Sequence, residues 1–284
     1  MSDLLAELAS PPGAKGSGRL RYGAAMALYH QGRLGDAALE VYRICALLDA
    51  QDPAPLLAEL HLAAPMAPGQ SAETAIRVLL AEADLYLATL PGPGVAEVRA
   101  GLQRWGHGPV TAGGGGNTVL AAHLPAALGQ VQTTHPALAR AIAGAAADLD
   151  WHRYDGYGPA IGAAFATGHC FASLIGENAA IAARDFDFGL FLIAPQILYR
   201  DHRHPAPELY APLTGPHGWR FGPDAPLMLK PAHQPVWNDP NRPHLTKVGS
   251  VPFLAFFGWT RDVQAQAEVI TASDWPALEA LRLG

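Results

Sequence analysis

The chain has 284 residues, of which 50% are hydrophobic and 15% are charged, and its formal net charge at pH 7 is -6. This composition indicates a folded globular protein of one or two domains and excludes a disordered chain. Nucleic-acid surfaces need clustered Lys and Arg, and no such run occurs in this sequence, so we expect no nucleic-acid partner. A small cationic or zwitterionic ligand fits the negative charge better.

The sequence carries no pattern that predicts export or membrane insertion. Its two cysteines, Cys45 and Cys170, lie far apart, which argues against a disulfide framework or a zinc knuckle and favours a reducing compartment. The first residues lack the basic-then-apolar order of a secretory signal, and no window approaches the roughly 18 uninterrupted apolar residues of a membrane span. We therefore expect a cytoplasmic protein with no membrane partner.

Residues 19–150 are rich in Ala and Leu and show helical periodicity. In the clearest helix, apolar residues recur every three or four positions from Ile76 to Leu90, after the candidate caps Ser71 and Thr74. A Pro-Gly-Pro-Gly turn ends that helix. The same pattern predicts five or six helices in total, with further segments at residues 21–31, 34–49, 118–128 and 136–149.

After Trp151 the pattern changes to short apolar segments separated by Gly or Pro. Seven segments have the composition of strands, namely residues 170–175, 180–185, 188–193, 209–213, 219–221, 227–229 and 253–259. Many short strands at close spacing predict a sandwich, a jelly roll or a small barrel. We therefore predict an α+β chain with a helical domain at residues 1–150 and a β domain at residues 151–284.

The segment from Tyr199 to Tyr210 carries the clearest chemical pattern. Five of the twelve histidines lie between positions 202 and 244. His202 and His204 face the same way if they lie on a strand, because side chains alternate across it, and Glu208 follows after a proline turn. His244 comes 36 positions after Glu208 and is the best candidate for a ligand from a distant strand. Imidazole and carboxylate ligands together predict a divalent-metal site for Zn, Fe, Mn, Co or Ni.

These residues form a known motif. The pattern His-x-His-x3-Glu-x6-Gly, formed by His202, His204, Glu208 and Gly215, resembles the first metal motif of the cupin superfamily. Gln196 stands where that motif commonly has glycine. The resemblance implies that the second half of the chain is a cupin barrel, a double-stranded β-helix or jelly roll, after a helical N-terminal region.

A longer string is more specific. Tyr-x-x-His-x-His-x3-Glu-x-Tyr, followed by Pro-His-x-Thr and Trp-x-x-Asp, resembles the bacterial cupin lyases that cleave dimethylsulfoniopropionate to dimethyl sulfide and acrylate. The strong part of this resemblance covers residues 186–265. It implies a carbon–sulfur lyase that uses a divalent transition metal, such as Zn, Fe or Mn.

The resemblance also implies roles for individual residues. The implied metal ligands are His204, Glu208 and His244. The implied catalytic residues are Tyr210 as the base, together with Tyr199 and His202. The sequence does not choose between His202 and His204 as the direct ligand.

The implied reaction is a β-elimination. When the substrate carboxylate is bound to a cation, the neighbouring C–H becomes more acidic, and Tyr210 as phenolate can take that proton while the sulfonium leaves as a neutral thioether. Aromatic faces stabilise a sulfonium by about 0.5–2 kcal/mol each. We predict that Trp219 and Trp259 bind this part of the substrate.

Two other interpretations keep the same metal site. The first is a different cupin enzyme, either an oxygen-dependent dioxygenase or a sugar or keto-acid isomerase. The second is a metal-gated sensor whose helical half binds a partner. For the lyase interpretation, we expect the helical half to pack against the barrel or to form the interface of a homodimer. We also predict that His217 and His233, which lie in turn-like sequence, are exposed to solvent.

Overall fold

The computed structural model describes residues 4–31, 33–60, 62, 71–114 and 116–284. Contacts between residues divide the chain into two compact units, Met1–Gln70 and Ser71–Gly284. The predicted functional residues all lie in the second unit.

The first unit contains helices α1 Leu4–Leu8, α2 Ser17–His30, α3 Asp36–Cys45 and α4 Ala54–Glu59. Their buried apolar side chains, such as Leu28 and Val41, form one small core. The carboxylate of Asp49 accepts hydrogen bonds from the amides of Gly16 and Gly18, at 2.7 and 2.9 Å. This contact satisfies free amides at the start of α2, which need partners outside the helix.

The second unit begins with helices that were largely predicted. They are α5 Ala72–Ala88, α6 Val95–Trp105, α7 Thr118–Thr134 and α8 Pro136–Ala145, and later α9 Ala163–Thr167 and α10 Trp275–Ala280. Ser71 caps α5 as predicted, since its hydroxyl accepts the amide hydrogen of Thr74. Helix α6 was missed because it buries only Val95, Val98 and Leu102, which is a narrow apolar stripe. None of the described helices is long and apolar enough to cross a membrane.

Eleven strands occur in the described part of the chain. They are β1 His169–Gly176, β2 Ile181–Ala182, β3 Asp187–Ile193, β4 Leu198–Arg203, β5 Glu208–Pro212, β6 His217–Arg220, β7 Met228–Lys230, β8 Val236–Asn238, β9 His244–Lys247, β10 Phe253–Trp259 and β11 Glu268–Val269. The larger sheet has the order β2-β1-β3-β10-β5-β8, and the smaller sheet has the order β11-β4-β9-β6-β7. This arrangement, in which nearly all pairs are antiparallel, confirms the predicted α+β fold with a cupin barrel.

The larger sheet buries both of its faces, and β10 shows how. Leu254 and Phe256 belong to a core shared with the helices, whereas Phe253, Ala255 and Phe257 belong to the core inside the barrel. Helix α7 packs on β1, β3 and β10, and α8 packs on α5 and α7. Strands covered on both faces read as continuous apolar runs, which is why this strand was predicted correctly. A domain boundary at residue 150 remains a prediction.

Strand β4 was not among the predicted strands because Arg200, Asp201 and Arg203 interrupt its apolar pattern. Asp201 is fully buried, and it accepts a hydrogen bond from Arg220 Nε at 3.2 Å and another from Trp275 Nε1 at 2.8 Å. Asp201 therefore ties β4 to β6 and to α10.

Gln196 has a φ of 63°, in the left-handed region that favours glycine. This backbone conformation gives a physical reason for the glycine that cupin motifs commonly have at the position. Here the side chain of Gln196 donates to the carbonyl of Leu283 at 2.8 Å and accepts from its amide at 3.2 Å. The C-terminal residues thus hold the turn that leads into β4.

His217 and His233 are not exposed, so that prediction was wrong. His217 is 1% exposed; it accepts a hydrogen bond from the amide of Gly249 at 3.1 Å and lies 3.2 Å from the hydroxyl of Thr214. His233 is partly buried and bonds to the hydroxyl of Tyr86 at 3.1 Å. Their proline-rich surroundings predict turns correctly, but only the tertiary structure shows what covers those turns.

We expect His217 to make stability depend on pH. Burial lowers the pKa of His217 to about 4, whereas an unfolded histidine titrates near 6.5. The unfolded chain therefore binds the extra proton first as the pH falls. This one residue should lower the free energy of unfolding by roughly 3 kcal/mol between about pH 6.5 and pH 4.

Denaturant unfolding at pH 7 and pH 4.5 measures this effect when wild type is compared with His217→Gln, which cannot titrate. The loss of stability between the two pH values should be smaller in the variant. Equal losses in both proteins would show that protonation of His217 does not contribute.

Candidate metal centre and adjoining cavity

Four of the predicted residues converge at one end of the barrel. His202 on β4 and His244 on β9 are directly opposite each other in the ladder. His204 lies just after β4, and Glu208 is the first residue of β5. All four side chains are buried, with exposures of 3% or less. The turn between β4 and β5 therefore places the imidazole of His204 and the carboxylate of Glu208 at the same end of the barrel.

The orientation of each imidazole is fixed by a local hydrogen bond. Nδ1 of His202 donates to the carbonyl of Arg200, that of His204 to Ala206 and that of His244 to Arg242, at 2.8, 2.8 and 2.9 Å. A carbonyl only accepts hydrogen bonds, so Nδ1 carries a proton in each ring, and Nε2 is the nitrogen that offers a lone pair when the ring is neutral. The three rings thus share one tautomer.

The three Nε2 atoms are buried and have no hydrogen-bond partner among the described residues. One ligand nitrogen from each of the three histidines lies within 4.8 Å of the other two. Oε2 of Glu208 lies 3.3 Å from Nε2 of His204 and 3.4 Å from Nε2 of His244. Buried lone pairs that converge without a donor are costly unless they share a cation. The donor set therefore fits a divalent metal ion.

The charge states of these groups suit the same role. Burial lowers the pKa of His202 well below 6.5, and the neighbouring His244 and His204 lower it further. Burial alone would raise the pKa of Glu208, but His204 and His244 hold it well below 4.5. His202 thus offers a neutral imidazole and Glu208 an ionised carboxylate, which are the forms that bind metal.

Two side chains hold the carboxylate of Glu208. Asn238 donates to Oε2 at 3.0 Å, and the indole of Trp259 donates to Oε1 at 2.8 Å. The Trp259 ring also stacks on His204, with centroids 4.4 Å apart. Asn238 was not predicted from the sequence. It faces Glu208 across the β5–β8 pair. No local pattern in the sequence shows which residues of two paired strands face each other.

A stack of aromatic rings supports His202. Tyr199 stacks on His202 at 3.9 Å, Phe165 stacks on Tyr199 at 4.0 Å, and His169 stacks on Phe165 at 4.1 Å. The β4–β9 ladder is irregular between Tyr199 and His202, which allows these two residues to share the inner face. The hydroxyls of Tyr157 and Tyr199 are hydrogen-bonded. Phe165, His169 and Tyr157 were not predicted, because their roles depend on how α9 and its preceding loop fold back.

A cavity of about 420 Å³ adjoins this centre. Among the predicted residues, Tyr199, Glu208, Tyr210 and Trp259 line it. Its other aromatic lining residues are Tyr154, Tyr157, Phe165, Phe171, Phe191 and Phe257. No Lys or Arg lines the cavity in the described ranges. The structure does not bring Trp219 into this wall: its ring packs against Tyr210 and Phe253, with centroids 5.6 and 5.9 Å apart.

Tyr210 lies two residues after Glu208 on β5, and both side chains line the cavity, as the alternation of a strand requires. Its side chain is 3% exposed and packs against Phe191. Burial raises the pKa of the Tyr210 hydroxyl well above 10, and the charge of Glu208 raises it further. These surroundings by themselves favour the neutral phenol.

Comparison with known proteins gives a family match and two overall fold matches. The family model for dimethylsulfoniopropionate lyases matches residues 111–255, just over half of the chain. No protein of curated function matches the chain by sequence.

Among solved structures, a chain from the crystal structures of the dimethylsulfoniopropionate lyases RdDddP and RnDddQII is 20% identical, with a TM-score of 0.53, over 71% of this chain and 100% of that chain. The lyase DddQ from Ruegeria pomeroyi DSS-3 is 21% identical, with a TM-score of 0.52, over 70% of this chain and 96% of that one. A cupin-like protein from Thermotoga maritima is 13% identical over 41% of this chain and 86% of that one, with a TM-score of 0.35.

We expect His244→Ala to lose metal. Removing this imidazole should weaken metal binding at least tenfold and so lower the metal content after dialysis, because even a residue that only supports a ligand changes affinity about 10- to 100-fold. Elemental analysis of the purified proteins measures this metal content. His107→Ala, which removes an exposed histidine outside the centre, is the control and should keep its metal.

The same samples give an independent measurement. A ligand that binds only the folded state raises stability, so a chelator should lower the melting temperature of wild type and of His107→Ala. It should leave that of His244→Ala unchanged. Equal metal content in all three proteins would contradict the assignment of His244.

Proposed function

The chain belongs to the dimethylsulfoniopropionate lyase family, and we propose that it cleaves this substrate to dimethyl sulfide and acrylate by a metal-dependent β-elimination. Membership of the family makes it a carbon–sulfur lyase. In this proposal His204, Glu208 and His244 are the metal ligands. His202, whose free nitrogen faces the same centre, is either a fourth ligand or an adjacent proton-handling group.

The observation that carries the proposal is the position of three imidazoles and one carboxylate beside a cavity whose described lining holds no Lys or Arg. A substrate carboxylate entering this cavity meets no Lys or Arg, so it needs another positive partner. A divalent cation held by these residues would neutralise the carboxylate, acidify the neighbouring C–H and favour the phenolate form of Tyr210. The need for a cation agrees with the metal-dependent elimination that the family resemblance implies.

Tyr210 is the proposed base. It lines the same cavity as Glu208, next to the centre and on the same strand face. Its oxygen takes the α proton, the electrons of that C–H bond form the C=C bond of acrylate, and the C–S bond breaks with its electron pair on sulfur. The leaving group is then neutral dimethyl sulfide, and no redox partner is needed.

The aromatic wall supports a positively charged leaving group. Trp259, Phe171 and Phe257 line the cavity, and the rings of Phe171 and Phe257 meet edge to face at 6.1 Å. A sulfonium gains about 0.5–2 kcal/mol from each aromatic face that it contacts. Trp259 therefore remains a proposed substrate contact, whereas Trp219 has no support from its position outside this wall.

Tyr210→Phe tests the base directly. General-base catalysis contributes about 10²- to 10⁴-fold, so the rate of dimethyl sulfide release, measured by headspace gas chromatography, should fall at least 100-fold. Metal content should be unchanged. Tyr86→Phe removes a buried hydroxyl bonded to the carbonyl of Pro212 outside the cavity, and this control should keep its activity. Comparable rates for wild type and Tyr210→Phe would remove Tyr210 from this role.

The elimination consumes no oxygen, which separates it from a cupin dioxygenase. Dimethyl sulfide release by the metal-loaded protein should be the same in air and under anaerobic conditions. The measurement is the yield of dimethyl sulfide and acrylate per substrate consumed, with an expected ratio of about one to one by mass balance. A reaction that stops without oxygen would instead favour the dioxygenase interpretation.

A further inference from the structure

Asp187 is a second carboxylate in the cavity, and neither the family motifs nor the proposed reaction uses it. It is the first residue of β3 and lies opposite Trp259 of β10 in the ladder. Trp259 in turn lies opposite Glu208 of β5. Residues directly opposite in adjacent strands point to the same face of a sheet. Asp187, Trp259 and Glu208 therefore form one row on the inner face, and all three line the cavity.

The surroundings of Asp187 leave its charge uncompensated. Its Oδ1 atom is buried and finds no hydrogen-bond donor in the part of the chain that the structure describes. The Ser173 side chain and the Phe188 amide form hydrogen bonds to the carboxylate and lower its pKa, but burial outweighs them and raises the pKa to about 7. A buried carboxylate without a cation is costly to keep, and such groups cluster at functional sites.

We propose that Asp187 binds the positive end of a zwitterionic substrate and makes the cavity select zwitterions over simple carboxylic acids. This inference rests on the proposed function for the identity of the substrate, but the recognition itself depends only on Asp187 and the cavity.

The dimensions of the row agree with this role. Asp187 and Glu208 are two strands apart, which is roughly 10 Å at the usual strand spacing. A carboxylate and a sulfonium joined by two methylenes are about 4 Å apart. A molecule of this length can place its carboxylate near the Glu208 end while its cation approaches Asp187. Trp259 lies between Asp187 and Glu208 in the row, where its ring can contact the middle of the same molecule.

The chemistry of the Asp187 end also agrees. Phe171, Phe257 and Trp259 line the same cavity as the carboxylate. Aromatic faces attract onium groups through the ring quadrupole, and the ionised form of Asp187 adds an opposite charge beside them. The described lining holds no Lys or Arg that would pair with Asp187 instead. A positively charged group on the ligand would therefore supply the partner that the Asp187 carboxylate lacks among the lining residues.

Two probes of the same shape isolate the effect of charge. One is 3-(trimethylammonio)propionate, a zwitterion without a thioether leaving group, and the other is 4,4-dimethylpentanoate, in which carbon replaces the positive nitrogen. Calorimetry on the metal-loaded protein gives the dissociation constant of each. Asp187→Asn keeps the size and shape of the side chain and removes the charge. Asp185→Asn makes the same change at an exposed position two residues away and is the matched control.

Wild type and Asp185→Asn should bind the zwitterion at least about tenfold more tightly than the neutral-ended probe, since a close, partly desolvated charge pair contributes at least that much. In Asp187→Asn this preference should disappear, while the dissociation constant for 4,4-dimethylpentanoate stays within about twofold. The proposal is overturned if wild type has no preference, if Asp187→Asn retains it, or if both probes weaken equally in that variant.

The two proposals fail separately. If wild type releases dimethyl sulfide and Asp187→Asn still prefers the zwitterion, the lyase proposal is kept. The role of Asp187 is then rejected. If wild type releases no dimethyl sulfide but the Asp187→Asn variant loses the preference for the zwitterion, the role of Asp187 in recognition is kept. The proposal that dimethylsulfoniopropionate is the substrate is then rejected.

Discussion

The architecture of the site depends on three local hydrogen bonds between imidazole Nδ1 atoms and backbone carbonyls. Each bond joins a histidine to a residue two positions away in the chain, so each ring is oriented by its own segment. The three Nε2 atoms are consequently held toward one point. Preorganisation of this kind lowers the entropic cost of binding, because the ligands do not have to be ordered afterwards.

The rest of the barrel holds those segments in place from both sides. Inside, the stack of Tyr199, Phe165 and His169 backs the ring of His202. Outside, the buried pairing of Asp201 with Arg220 fixes the same strand to β6, which lies beyond β9 in the same sheet, and the bond from Trp275 to Asp201 fixes it to α10. Breaking one member of a buried charged network leaves the others unpaired, which is costly. The candidate metal centre is thus supported by residues that are not among its proposed ligands.

The cavity beside this centre is polar at its ends and aromatic along its walls. Glu208 joins the cavity to the metal centre, and Trp259 links the two by donating to Glu208 while stacking on His204. A single side chain thereby couples the shape of the cavity to the geometry of the ligands. Aromatic walls lower the local dielectric constant, so electrostatic interactions beside them are stronger than they are in bulk water. These features favour a small charged molecule over a large apolar one.

The sequence by itself determined the helical N-terminal region, the change to strands after residue 150, the cap at Ser71 and the motif around His204, Glu208 and His244. These features depend on local periodicity, local capping and fixed spacing within one segment, all of which can be seen in the order of residues. Only the tertiary structure decided the burial of His217, the position of Trp219 outside the cavity, and the row that joins Asp187 to Glu208. Strand register and loop packing bring together residues that are distant in the chain, and no local pattern encodes which of them will meet.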